Sequence, residues 1–362
     1  MTVSYTSVCA NSSLCTFLRL LFRWRGSIHK MILKDLLIFL VLYYAVNILY
    51  RYALNESQQQ AFHIIVDKLS QSDDLIPVTF LLGFYVSRVL TTWWKRFTSI
   101  PWPDRFALMT SCYIPGLDYE SRLIRRTLVR YVNLASVLLL RDISTAVKKR
   151  FPTKDHVKNS GFFTQHELEI QEALSSKSKV YLFWLPLQWA TNLVSQASTR
   201  GLLSSELSQR VLEITDIRSQ LGYLAYMDFV SPPLVYTQVV TIAVYTFFIS
   251  CLFSRQVINS ESSREYSKFP LFTMLQFICY MGWLKVAEAL FSPLGEDDDD
   301  FEINYIIDRN LQISYSIVDD IHGVLPTLVP DMYYESQYEP SYTVASEFLK
   351  RRPFTPSASE FT

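Results

Sequence analysis

The residues best suited to chemistry lie at 295–302, Gly-Glu-Asp-Asp-Asp-Asp-Phe-Glu, where six of the seven residues 296–302 are acidic. Adjacent like charges repel, so such a run needs solvent, a basic partner or a metal cation. Calcium takes about six to eight oxygens and commonly mixes carboxylates with backbone carbonyls; two carboxylates spaced i, i+3 on a turn can supply part of that shell. The run is not an EF-hand loop, because the glycine at the sixth position and the alternation of oxygen ligands are missing. A solvated acidic face at the exit of an apolar segment is the other reading. The residues alone leave both open.

A second pattern is Ile76, Phe80 and Phe84, spaced i, i+4, i+8 so that a helix aligns them in one stripe, which Arg88 continues. On the pattern alone these are lipid-facing or packing residues, with Arg88 either in a structural salt bridge or attracting anions. Ser205, in Ser-Ser-Glu-Leu, resembles a helix N-cap. Asp228, Lys285 and Glu288 read as paired structural charges near the ends of apolar segments. Five scattered cysteines without a CxxC pair give neither a zinc site nor a disulfide framework. With no nucleophile–base set and no phosphate loop, nothing points to an enzyme. Equal numbers of basic and acidic residues, 34 each, give no case for a nucleic-acid partner.

The elements that must position these residues are mostly apolar. Crossing about 30 Å of hydrocarbon takes about 20 apolar residues, and residues 31–53, 75–94, 229–253 and 269–292 qualify. Basic residues before the first segment (Arg19, Arg23, Arg25, Lys30, Lys34) and after the second (Lys95, Arg96, Arg105) place both ends and the middle block in the cytosol. The loop 55–73 is then outside, with a glycosylation sequon at Asn55-Glu56-Ser57. Residues 125–151 read as a helix with an apolar stripe and basic ends. Residues 179–194 read as a buried or re-entrant helix rather than a fifth span, because Pro186, Gln188 and Asn192 interrupt them. The expected organisation is an all-α membrane protein: a cytosolic N-terminal segment (1–30), two transmembrane helices (31–99), a cytosolic helical region (100–227), two more transmembrane helices (228–294), the acidic turn (295–302) and a proline-containing cytosolic tail (303–362).

Several stretches in order carry a family likeness: Trp-Arg-Gly-Ser-Ile-His-Lys (24–30), Ile-Pro-Trp-Pro-Asp-Arg (100–105), Arg-Arg-Thr-Leu-Val-Arg-Tyr (125–131), Ser-Thr-Ala-Val-Lys-Lys-Arg-Phe-Pro (144–152), Pro-Leu-Val-Tyr-Thr-Gln-Val-Val-Thr (233–241), Gly-Trp-Leu-Lys-Val-Ala-Glu (282–288) and the acidic run. Together they resemble the bestrophins, animal type, from Met1 to about Thr343. The resemblance implies a homopentamer in a lipid bilayer, most simply the plasma membrane with an intracellular membrane as the alternative, conducting chloride and other small anions under calcium control. It implies a calcium clasp formed by the Asp297 and Asp300 side chains with the carbonyls of Ala289, Ser292 and Ala10. Ile76, Phe80 and Phe84 would ring a hydrophobic neck. Family members carry an arginine where this chain has Thr92, so Arg88 stands in a shifted position as an anion-attracting group. Ser205 matches a cytosolic aperture that is often aliphatic, and a serine there leaves it wider and wetter. Phe354, Thr355 and Ser357 match an inhibitory latch, although Pro353 directly after the paired arginines departs from the pattern. A non-conducting regulatory or scaffold membrane protein of the same fold is the alternative.

Overall fold

The computed structural model describes residues 3, 5–10, 16–72, 77–177, 180–203, 207–256, 270–335 and 341–350. Among these every regular element is helical. In chain order the helices are α1 (Thr16–Leu21), α2 (Ile28–Ile48, extended by a wide turn over Leu49–Ala53), α3 (Glu56–Ser72), α4 (Val78–Thr98), α5 (Asp104–Tyr113), α6 (Tyr119–Ile143) and α7 (Thr145–Arg150). They continue with α8 (Lys154–Asn159), α9 (Gln165–Lys177), α10 (Leu185–Thr199), α11 (Leu207–Phe229), α12 (Leu234–Ser254), α13 (Leu271–Phe291) and α14 (Ile303–Tyr315). Helices α4, α5, α12 and α13 each begin directly after a proline (Pro77, Pro103, Pro233, Pro270), whose fixed φ and missing N–H suit a helix start.

Two apolar cores result. One joins α2, α4, α12 and α13 through Phe39, Tyr43, Leu82, Tyr85, Val244, Phe248, Phe277 and Met281. Phe39 stacks on Phe277 at 4.8 Å and meets the edge of Phe248 at 5.8 Å, an aromatic interlock across α2, α12 and α13. At one end of this bundle the Tyr43 hydroxyl donates to the Arg255 carbonyl (2.8 Å), and Asn47 donates to Gln256, which donates back to the Tyr43 and Leu252 carbonyls. Among the described residues, three helical segments are long and apolar enough to cross a membrane: Ile28–Ala53, Leu234–Ser254 and Leu271–Phe291. The expected second span is helix α4, but Arg88, Lys95 and Arg96 and its hydroxyl-bearing residues lower its apolarity, and it is not among the three.

The other core surrounds α6, whose residues from Leu128 to Leu140 are buried on nearly every face against α5, α10, α11 and α14. Asp118 caps its start by accepting from the Ser121 N–H at 2.9 Å. The segment around 179–194 enters here as α10, with Leu187, Ala190 and Val194 buried. The expected tail divides. Ile303, Ile306, Ile307, Ile317 and Val318 are buried in the same core, and the first compact unit runs to His322. The reason is the helical stripe of α14, with Asn310 and Ser314 completing the buried face. The second unit, Gly323–Thr362, is largely irregular where it is described, with a turn at Asp331 and a short helical turn at Glu347–Leu349 preceded by Thr343–Ser346 bonds.

Arg130 and Glu167 form a two-pronged ion pair in this larger core (2.7 Å for each nitrogen–oxygen contact), and the Tyr131 hydroxyl donates to the same carboxylate at 2.9 Å. Burial opposes ionisation of Glu167, yet Arg130 and the Thr164 N–H outweigh it and hold the carboxyl below its ordinary value. That contribution to stability is present above the unfolded-state value and is lost as pH falls through the folded one. Glu167→Ala leaves the largely buried Arg130 guanidinium without its carboxylate, with the Phe162 carbonyl as a remaining acceptor, and is expected to cost about 3 kcal/mol. Melting temperatures of the purified protein across an acid titration check both statements: the variant should melt lower near neutrality, and the difference should shrink in acid.

Candidate functional site

The acidic run forms the turn between α13 and α14, and its four aspartates have different fates. Asp300 is 3% exposed. Its Oδ2 accepts from the Asp297 N–H at 2.8 Å, and its own N–H donates to the Asp297 carbonyl at 3.2 Å, which closes the turn. Burial pushes the Asp300 carboxyl up; the N–H groups of Asp297 and Gly295 pull it down, while the charges of Asp297 and Asp299 push it further up, and the net direction is up. The Asp299 carboxyl is raised by burial and then by Asp298 and Asp297. Asp298 points the other way, to Lys30 (3.2 Å) and Arg25 (3.4 Å), and its carboxyl is held low chiefly by Lys30. Glu296 pairs with Lys149.

Gly295 is a packing necessity here. A Cβ on it would stand 2.6 Å from Asp300 Oδ2 and 3.8 Å from the Ser292 carbonyl oxygen, so these two oxygens flank the same bare α-carbon. Ser292 ends α13, and Ala289 lies in its last turn. The last carbonyls of a long helix lack intrahelical donors and form the negative pole of its dipole. The last turn of α13 carries no basic residue of its own, although Arg96 of α4 donates to the Phe291 carbonyl and to the Met227 carbonyl. The turn is fixed from outside as well: the Ser144 hydroxyl donates to the Leu294 carbonyl at 2.7 Å, and the Phe301 N–H to the Pro293 carbonyl at 2.9 Å.

Carboxylates and carbonyls at a helix C-terminus make a hard-oxygen donor set of the kind calcium takes. Among the described residues no three His, Cys, Asp or Glu side chains converge on one metal position, so carbonyls would have to complete any such shell. Ala10 follows the exposed turn Tyr5–Cys9. The N-terminal segment does reach the acidic turn, but through the Val3 N–H donating to the Asp298 carbonyl at 3.1 Å.

Helix α4 buries Val78, Leu82, Tyr85 and Val89 in the apolar bundle. Its other face carries Phe80 and Phe84, 63% and 61% exposed, with ring centroids 4.7 Å apart, and Arg88 continues that face. Ile76 lies outside the described residues, as do Ser205 and the tail positions Phe354, Thr355 and Ser357. Lys285 bridges Glu288 (2.7 Å) and Asp35 (3.4 Å), joining α13 to α2, as paired charges were expected to do.

Sequence reasoning missed two features. One is the tie between Asp298 and Arg25 and Lys30, side chains about 270 positions apart, for which no local pattern exists. The other is an aromatic contact: Phe301, at the end of the acidic run, lies 5.1 Å from Trp93 and 5.2 Å from Phe97 on α4. The cluster Trp93, Trp94 and Phe97 at one end of α4 was its only signal, and it read equally well as an interfacial anchor.

A family model described as "Bestrophin, RFP-TM, chloride channel" matches residues 1–320. Human Bestrophin-1 is 46% identical over 361 residues, covering 98% of this chain and 61% of that protein. Mouse Bestrophin-2 is 44% identical, covering 98% and 70%. The chain thus spans about three fifths of the length of its Bestrophin-1 relatives. A solved bacterial bestrophin homologue from Klebsiella pneumoniae superposes with a TM-score of 0.63 at 18% identity, over 80% of this chain and 99% of that one, which is a likeness of fold. With a match of this extent and relatives this similar over nearly its whole length, the chain belongs to the bestrophin family, among its animal-type members.

Proposed function

We propose that this chain is the subunit of a calcium-activated anion channel, a homopentamer with four transmembrane helices per subunit, both termini cytosolic, and a pore lined by the exposed face of α4. The observation that carries the reading is the contact between the acidic turn and α4: Phe301 is wedged against Trp93 and Phe97, on the helix whose other end bears Phe80 and Phe84. Two phenylalanines in contact with each other on the exposed face of α4 suit a ring made by five copies. A narrow apolar ring dewets and closes, and when it widens the positive ring edges face a partly dehydrated anion.

Asp297 and Asp300, with the carbonyls of Ala289, Ser292 and Ala10, would hold the cation. A bound calcium ion would supply the positive charge that a crowded, partly buried carboxylate cluster lacks. The residues do the rest: Gly295 lets the Asp300 carboxylate close the turn, Ser144 fixes the approach to it, and Phe301 passes its position to α4. Arg88 below the neck concentrates anions, Ser205 forms the cytosolic aperture, and Phe354 with Thr355 and Ser357 forms an inhibitory latch.

Anion flux from liposomes containing the purified protein, with and without calcium, tests the reading. Calcium-dependent chloride flux is expected; no flux in either condition would leave a non-conducting membrane protein of this fold. Phe301→Ala should separate binding from opening: calcium binding by the purified protein stays within about threefold while maximal flux falls severalfold, because an aromatic contact worth about 1 kcal/mol is lost between turn and helix. Equal loss of binding and flux would place Phe301 in the ion site instead.

A further inference from the structure

The chain enters its first long apolar helix through a strip that is both basic and uncovered. No acidic residue precedes Asp35, whereas Arg19, Arg23, Arg25, Lys30 and Lys34 all do. In α1 and the turn after it, Phe17, Leu18, Leu21 and Phe22 are spaced i, i+1, i+4, i+5 and share one helical face, with Arg19 on the other. That apolar face is bare: Phe17 is 70% exposed and Phe22 89%, and Trp24 just beyond them is 60% exposed. A contiguous apolar patch rimmed by charge marks a surface that something covers.

The strip is fastened in place. The Arg23 N–H donates to the Leu20 carbonyl at 3.1 Å, which carries the turn past the end of α1, and His29 Nε2 donates to the Leu21 carbonyl at 3.1 Å. Gly26, at φ 65°, then turns the chain into α2. Asp298 takes Arg25 and Lys30, and among the described residues Arg19 and Arg23 form no ion pair. The neighbouring surface says what the covering is. Helix α2 starts four residues after Trp24 and is apolar enough to cross a membrane. Its exposed Leu33, Leu37, Ile38 and Val41 form one stripe, with Lys34 on the same face near the start. An amphipathic strip joined to such a helix lies in the interface, its rings at the acyl boundary and its guanidiniums among the headgroups. Arginine meets a phosphate through two parallel bonds, and a strip without acidic residues favours an anionic leaflet over a zwitterionic one.

We propose that residues 17–24 are an interfacial anchor for anionic phospholipid, with Phe17, Leu21, Phe22 and Trp24 at the acyl boundary and Arg19 and Arg23 on the headgroups. The anchor is joined to the acidic turn. Arg25 and Lys30 hold Asp298, and a Cβ on Gly26 would stand 3.2 Å from the Val3 side chain and 3.6 Å from Asp299 Oδ1. Leaflet charge and the acidic turn therefore share one short stretch of chain. The inference goes beyond the channel reading and needs only that α2 crosses the bilayer.

The test is hydrogen–deuterium exchange of the full chain, with a calcium chelator and at low salt, in nanodiscs of phosphatidylcholine alone or mixed with phosphatidylserine. Amides of 17–25 are expected to exchange at least about threefold more slowly in the mixed discs, and high salt should reverse the difference. Peptides covering 295–302 should slow with them, through the Asp298 pairs. Arg19→Gln with Arg23→Gln should abolish the phosphatidylserine effect while α12 and α13 exchange as in wild type. Phe22→Ser should speed exchange of 17–25 in both discs, and this second variant decides the matter if the double variant does not assemble. Equal exchange of wild type in the two discs overturns the anchor. A response of 17–25 without one of 295–302 overturns the link to the turn. Protection as strong in lipid-free detergent as in the mixed discs would assign the face to a second copy of this chain and likewise overturn the anchor. The readout needs no conduction, so a protein with no flux would lose the channel reading and keep this one.

Discussion

Asp300→Ala should move calcium activation to at least about tenfold higher concentration, because a charged ligand contributes more than the roughly 1.4 kcal/mol that a tenfold change in affinity represents. The side chain does two things at once. It brings a carboxylate oxygen to the C-terminal end of α13, and it closes the turn by accepting the Asp297 N–H. Gly295→Ala should give a shift of the same sign without touching any carboxylate, since the new methyl would have to displace Asp300 Oδ2 from 2.6 Å. Glu296→Gln removes only an exposed pair with Lys149, so it should leave activation nearly unchanged. Calcium titration of flux in liposomes separates these cases. If Asp300→Ala and Glu296→Gln behaved alike, the acidic run would be a solvated face and not an ion site.

Replacing Ile76, Phe80 and Phe84 together by alanine should abolish closure. In the proposed neck, three apolar layers that would dewet become a wider, hydrated passage, and flux without calcium should approach the calcium-activated level of the wild type. Folding is expected to survive, because Phe80 and Phe84 lie on the exposed face and the packing of α4 rests on Val78, Leu82, Tyr85 and Val89. Preference for chloride over cations should persist, since Arg88 is untouched. A triple variant that still closes without calcium would put the gate elsewhere.

How much of this was legible in the sequence depended on the kind of signal. Continuous apolar runs delivered α2, α12 and α13 nearly to their ends, because burial in lipid demands about 20 such residues in a row. The stripe through Phe80, Phe84 and Arg88 placed those residues on one face of α4, as found, although the polar residues between them left that helix less apolar than its neighbours. The acidic turn stood out by composition, but its inner geometry did not. Nothing in four consecutive aspartates says that the third from the left will stay half in solvent while the fourth folds inward over Gly295. Periodicity reports which side of a helix is covered and not by what, so the Arg130–Glu167 pair and the contact of Phe301 with Trp93 appeared only in three dimensions. The prolines of 303–362 mark a partly irregular tail, but all of them lie beyond residue 325, and Ile303, Ile306 and Ile307 before them carry a helical face.

The fastening of α2 has a mechanical consequence. At its start, Ser27 caps the first turn and Lys30 holds Asp298 of the acidic turn. Near its other end, Tyr43 and Asn47 are tied to Arg255 and Gln256 just past α12. A rod clamped at both ends resists rotation and sliding, so α2 serves as the stator of the bundle. Helix α4 meets the acidic turn through the tilted ring contacts of Trp93 and Phe97 with Phe301, which have no directional bond and permit slip more readily than the hydrogen bonds that hold α2. In the proposed channel a torque generated at the turn would be delivered to α4 as the rotor, and loosening the stator, by Lys30→Gln with Asn47→Ala, would dissipate that stroke before it reached Phe80 and Phe84.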